Sequence, residues 1–215
     1  VTHPITSIAG ASISKDDPMS VVQQRYKQIE ITLPPNIAFE LIGHAFSVIP
    51  AAKEQWEVMT GDLNSKISAS KMAVMKAAVV KSDSVMQHML PIHPMAALVL
   101  KNIASAFQSN QRSMFDFIKT PKDLDIHAFQ WFIQNTRPDS DRSLLTVDML
   151  WDFFYEKGKD YLTPDIKLIL DTYPQQTNLS EKEKVILKTI LIMQAVDQHL
   201  GGTIPVLKAT DQNLS

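Results

Sequence analysis

Along most of the chain apolar side chains recur three and four residues apart, and along one short stretch they alternate. The alternating stretch is 28–33, with Ile29, Ile31 and Leu33 on one face and Gln28, Glu30 and Thr32 on the other. A period of two predicts a half-buried strand. No second stretch alternates as clearly, and a lone strand leaves its backbone groups without a ladder. Its partner is expected beyond these residues or in the weaker stretch 204–207.

The remainder predicts helices. Phe39, Ile42, Gly43 and Phe46 fall at i, i+3, i+4 and i+7, and Pro50 is expected to end that helix. Asp62 is placed to cap a long helix over 63–87 that turns Ile67, Met72, Met75 and Val79 inward. Pro91 and Pro94 interrupt the chain, and a helix with Leu100, Ile103, Ala104 and Phe107 in register follows. Met114, Phe117 and Ile118 make a short apolar face. A helix over 125–133 gathers Phe129, Phe132 and Ile133, and 135–141 is a polar turn around Pro138.

Thr146 is expected to cap a helix with Val147, Leu150 and Phe154 on one face, stopped by Gly158. Pro164 suits the first turn of a helix running towards Tyr173. Ser180 and Glu183 form a capping box that opens an apolar helix over 185–199, closed by Gly201 and Gly202. Being apolar nearly all round, that helix should be central to its domain. Its length and Lys188 argue against a membrane span.

The fold class is therefore mainly α, with one or two short strands. The expected organisation is 1–33 as a lead-in with the strand, 34–176 as a helical domain and 177–215 as the start of a small helical module. The last boundary falls among the polar residues of 174–180.

Composition narrows the function classes. With 215 residues, 45% hydrophobic and 20% charged, the chain can bury a core, so wholesale disorder is not expected. A net charge of −2 argues against a nucleic-acid surface spread over the whole chain, although a local basic patch stays open. There is no cysteine, which excludes disulfides and thiolate metal sites. No secretory leader pattern opens the sequence, so the cytoplasm is the default location. The sequence starts at Val1 rather than Met, and Thr210 looks like the N-cap of a helix that has little room to run. Both features lead us to expect a larger parent protein.

Complete catalytic motifs are missing. There is no Gly-x-x-x-x-Gly-Lys-Ser/Thr phosphate loop, and six glycines leave no glycine-rich cradle. A Gly-x-Ser-x-Gly elbow and a His-Glu-x-x-His pair are also missing. His88 and His93 are separated by Pro91 and cannot share a helix face, which weakens a zinc reading. Asp148 and Asp152, four apart, suit a cation or simply a solvated helix face. Arg112 sits among polar residues just before the aromatic cluster Phe115 and Phe117. An arginine held by a packed element is well placed to pair with a phosphate. The plain alternative is a surface arginine beside a short helix.

The His93-Pro94-Met95 stretch, followed by Asn110-Gln111-Arg112-Ser113-Met114-Phe115 and Phe117, resembles a pattern in large bacterial ATP-binding proteins of the AAA+ type. Several such proteins belong to phage-defence loci. There the pattern begins His-Pro-Leu and continues Gln-Asn-Glu-Arg-Ser-Leu-Phe, just after the nucleotide-binding core. Ser109 and Gln111 depart from it, standing where the family has Gln and Glu. Thr2 and His3 resemble the polar end of the core's sensor strand, and Arg25-Tyr26 with Ile29 the segment that closes the core.

The resemblance implies that 34–176 is a helical lid and that Ser180 opens the first helix of a winged-helix module. It also implies that Thr2, His3 and Arg112 approach ATP and Mg2+ in the parent protein, with Arg112 as a sensor or finger arginine. His93 would fix a helix start rather than do chemistry. The implied partners are an upstream nucleotide-binding core, further subunits of the parent and, through the winged helix, nucleic acid. Membrane is not among them. The chain alone is expected to turn over no ATP. The rival is a stand-alone helical module that binds protein or nucleic acid.

Overall fold

The computed structural model describes residues 37–103, 114–121 and 125–214. The chain divides into two units, Val1–Leu33 and Pro34–Ser215. The strand expected over 28–33 lies outside the described residues, as do Ala104 and Phe107. What is described is mainly helical, as the periodicity predicts. A parallel bridge pairs Ile92 with Leu145.

Helix α1 (Ile37–His44) buries Phe39 and Ile42, the expected face. It ends well before Pro50, because Phe46 leaves the helix to meet the Phe129 ring at 4.8 Å. Pro50 instead opens a short 3-10 turn that leads into α2 (Lys53–Lys66). The long helix expected over 63–87 is three helices: the end of α2, α3 (Ser68–Ala77) and α4 (Asp83–His88). Asp62 lies inside α2 and caps nothing.

The breaks have local causes. Ile67 leaves helical geometry at φ −103°, ψ 8°, and turns its side chain into a small cluster with Leu63 and Leu90, against which Trp56 packs. After α3, Val79 takes a left-handed φ of 55° and the Val80 N–H donates to the Met75 carbonyl at 2.9 Å. That bond and that conformation make a Schellman stop with valine where glycine is usual. Of the four residues expected inward, Ile67 is buried and Met75 half-buried, but Met72 and Val79 are exposed.

The chain then passes through a cis Leu90–Pro91 peptide into α5 (Pro94–Ile103), buried along nearly its whole length. Helix α6 (Met114–Lys119) buries Met114, Phe117 and Ile118 as expected. Helix α7 (Phe129–Asn135) starts later than 125, because the His127 N–H is held by Asp152 Oδ2 at 2.7 Å and Ala128 is extended. Phe129 and Phe132 are buried, whereas Ile133 is half exposed.

From Thr146 to Gly158 the structure departs from an α-helix. A 3-10 turn (Val147–Leu150) runs into a π turn (Asp152–Glu156). The expected residues Val147, Leu150 and Phe154 are buried, and so are Trp151, Phe153 and Tyr155. The wider turn carries more consecutive large side chains inward than a 3.6-residue repeat does. Gly158 follows because a Cβ there would sit 2.5 Å from the Phe154 carbonyl oxygen.

Helix α8 (Pro164–Leu170) begins on its proline. Helix α9 (Glu181–His199) opens on the capping box formed by Ser180 and Glu183. Only its second half is central: Leu191, Ile192, Met193, Ala195 and Val196 are buried while Ile186 is exposed. These residues join the same core as α1, α5 and the π turn, and α9 lies along α8. Residues 174–180 therefore mark no break in packing, and Pro34–Ser215 is one compact unit. Past Gly201 and Gly202, stretch 204–207 forms a 3-10 turn (Pro205–Leu207) with Val206 and Leu207 buried, not a strand. A four-residue helix, α10 (Asp211–Leu214), follows. Among the described residues no helix is long and apolar enough to cross a membrane.

Candidate functional site

The three residues singled out for phosphate contact, Thr2, His3 and Arg112, lie outside the described residues, together with Arg25, Tyr26, Ser109 and Gln111. The elements on either side of Arg112 are described. Helix α5 ends on buried Ile103, α6 begins on buried Met114, and the two helices touch. Phe117 meets Phe153 edge-on at 5.4 Å and stacks on Phe154 at 5.8 Å. The aromatic cluster after Arg112 is thus part of the main core.

His93 stands immediately before α5, and its carbonyl accepts the Ala97 N–H at 3.0 Å. Its ring adds a second cap: the Met95 N–H donates to Nδ1 at 3.2 Å. With Nδ1 accepting, the neutral ring carries its proton on Nε2, which faces Ser70 Oγ at 3.1 Å. The Ser70 hydroxyl in turn donates to the Ile67 carbonyl at 3.0 Å. Burial lowers the His93 pKa from 6.5 to about 4.

A serine within reach of a histidine invites comparison with a nucleophile and its general base. The comparison fails on proton position, because a base must accept the serine proton at Nε2 and here Nε2 already carries one. The ring is also too weakly basic near neutral pH. Ser70 and His93 therefore tie α3 to the start of α5. Sequence inspection missed this pairing because nothing in the local pattern joins residues 23 positions apart.

Neither metal arrangement forms. His88 ends α4 and His93 precedes α5, with both His93 ring nitrogens engaged. Asp148 is buried, ion-paired with Arg142, and accepts the Thr146 hydroxyl proton at 2.5 Å. Asp152 turns to the His127 backbone. The 3-10 and π turns give the two carboxylates different partners instead of one shared face. No group of three or more potential ligands gathers among the described residues.

Two polar clusters remain. Tyr155 donates to Asp171 at 2.6 Å, and the Lys159 ammonium reaches Asp171 at 3.1 Å and the Tyr155 oxygen at 3.3 Å. The Tyr155 hydrogen bond lowers the Asp171 pKa, while burial raises that of Tyr155 and the hydrogen bond to Asp171 raises that of Lys159. A phenol held protonated cannot serve as a base near pH 7, so the trio joins the π turn to α8. The second cluster lines a groove of about 820 Å³, where His127 stacks on Trp131 at 3.9 Å beside Arg137, Arg142 and Glu156. Its charged groups have partners close by: Arg142 pairs with Asp148, Arg137 with Asp139, Glu156 accepts the Trp151 indole N–H, Asp152 accepts the His127 N–H, and the Lys188 ammonium lies over the Trp151 ring at 5.8 Å.

A separate cleft of about 810 Å³ opens between the end of α1, α4 and α7. No protein-family model, curated protein or solved structure matches the chain.

Proposed function

We propose that this chain is a helical accessory region of a larger P-loop ATPase and that Arg112 serves its nucleotide. The reading rests on the resemblance of the His93 and Arg112 stretches to AAA+ proteins. The observation that favours it is that α5, which follows His93, and α6, which follows Arg112, share one core. His93 acts as the cap of α5, the role the resemblance implies for it. Helix α5 leads into the arginine segment and α6 leaves it, with Ile103 and Met114 buried at the two ends. A guanidinium that must meet a phosphate in a set geometry gains from a rooted neighbour, and Met114, two residues on, is buried.

In this reading Arg112 stabilises charge on the transferring phosphoryl group of ATP bound with Mg2+ in the parent's core. Thr2 and His3 belong to the rim of that core. The chain supplies no phosphate cradle, so the lid alone binds ATP weakly and hydrolyses none. The test is ATP turnover by the intact parent carrying Arg112→Ala, which should fall by on the order of 10³-fold. Arg112→Lys should restore little, since an ammonium lacks the planar fork. Turnover equal to the unsubstituted parent would remove Arg112 from the site.

A further inference from the structure

The cleft between α1, α4 and α7 has a property the groove beside Trp131 lacks: among the described residues that line it there is no Asp, Glu, Lys or Arg. Its walls are Phe46, Trp56, Phe129 and Ile133, with Leu90 and Pro91 also lining it. The polar groups between them are amides, imidazoles and a hydroxyl. Val48 and Ile133, both in its lining, remain 39% and 50% exposed, so the apolar surface is open rather than filled by neighbours.

We infer that this cleft binds an uncharged, planar aromatic small molecule. The volume falls within the range of roughly 300–1,000 Å³ typical of small-molecule sites, and apolar walls with a few orienting polar groups are their usual make-up. Phe129 is covered by Phe46, which leaves the half-buried rings of Phe46 and Trp56 to meet a flat ring system by stacking or edge-on. The missing ionic partners set the charge. A carboxylate or ammonium entering the cleft loses water and meets no Lys, Arg, Asp or Glu, so wherever the His44 and His88 imidazoles carry no proton the ligand is neutral. Side-chain amides of Gln134 and its neighbours can pair with a carbonyl or N–H on the ring's edge. The inference does not rest on the role of Arg112.

An isosteric pair of probes tests it: 2-naphthamide, which is neutral, and 2-naphthoate, its anion, each titrated into the full chain at pH 8. The readout is the indole N–H cross-peak of Trp56 in a 15N-correlated NMR spectrum, identified among the three tryptophans by Trp56→Phe. The amide should shift that peak saturably, and the carboxylate should bind at least about tenfold more weakly, the factor expected when a charge loses its water without pairing. Ile133→Glu and, on the loop after α1, Val48→Glu should each weaken the amide by a similar factor. Both positions are exposed, so unchanged melting of at least one variant secures the comparison. No saturable shift, equal binding of the two probes, or amide binding indifferent to both substitutions would overturn the inference.

Discussion

His93 concentrates several constraints in one side chain. It caps α5, ties that helix to α3 through Ser70, and does both only as the neutral ring. Its pKa is about 4 in the folded chain against 6.5 when unfolded, so the unfolded chain takes up the proton first as pH falls. The His93 contribution is fully present above pH 6.5, is lost progressively down to about pH 4, and changes no further below that. The loss amounts to about 3 kcal/mol across the window. His93→Asn keeps a capping side chain that does not titrate. Urea unfolding at pH 7 and pH 4.5 should therefore show a smaller acid loss in the Asn variant. An identical loss in both would assign the titration to another group.

Lys71 is the second residue that the environment constrains. It is buried on α3, hydrogen-bonded to Asn64 at 2.9 Å and ion-paired with Asp83 at 2.7 Å. Its stem packs while its ammonium reaches two partners, one of them half exposed. Removing the cation leaves partners that water can satisfy, whereas removing the carboxylate leaves a buried ammonium with one neutral acceptor. Lys71→Met should therefore change stability by less than about 1.5 kcal/mol, and Asp83→Ala should cost more. Thermal melting of the two variants compares them directly, and the reverse order would contradict this description of the pair.

At the scale of elements, two helix stops of the same type make the most useful contrast. Helix α9 ends with the Gly202 N–H on the Asp197 carbonyl at 2.8 Å and Gly201 at φ 70°. Helix α3 ends with the same bond pattern but with Val79 in the left-handed position. A β-branched residue there is strained by roughly 1–2 kcal/mol, and its side chain is exposed, so it gains little packing in return. Val79→Gly should stabilise the chain by about 1 kcal/mol, or a few degrees in Tm. A lower Tm would mean that the valine contributes packing not visible in its exposure.

The same contrast explains what the sequence made legible. The capping box at Ser180 and the glycines after α9 carry their own local signals, and that helix is found where those signals place it. Pro94 and Pro164 likewise mark the starts of α5 and α8. Neither the break at Ile67 nor the stop at Val79 has a glycine to announce it, so the end of α2, α3 and α4 read as one helix. Helix α2 was missed as a separate element although Trp56, Leu63 and Ile67 are spaced seven and four apart, because its other positions are polar. The π turn escaped for another reason: an apolar residue every three or four positions is compatible with 3-10, α and π geometry alike.

On the scale of the whole molecule, the candidate sites were less legible than the fold. Periodicity speaks for each helix separately, whereas a site needs residues from several. Ser70 and His93, Asp152 and the His127 backbone, and the walls of the uncharged cleft all join segments distant in sequence. Asp148 and Asp152 illustrate the converse. Their spacing suggested one shared face, but the backbone gave each a different partner.

Two measurements on one substitution separate the proposed role of Arg112 at the nucleotide of a P-loop ATPase from a structural one. Arg112→Ala is made in the intact parent, where ATP turnover is followed, and in this chain alone, where melting is followed. The account predicts turnover lower by on the order of 10³-fold with the chain's Tm essentially unchanged. A surface ion pair lost from the fold would cost at most about 1 kcal/mol and leave turnover near normal. Normal turnover in the Arg112→Ala parent would contradict the account.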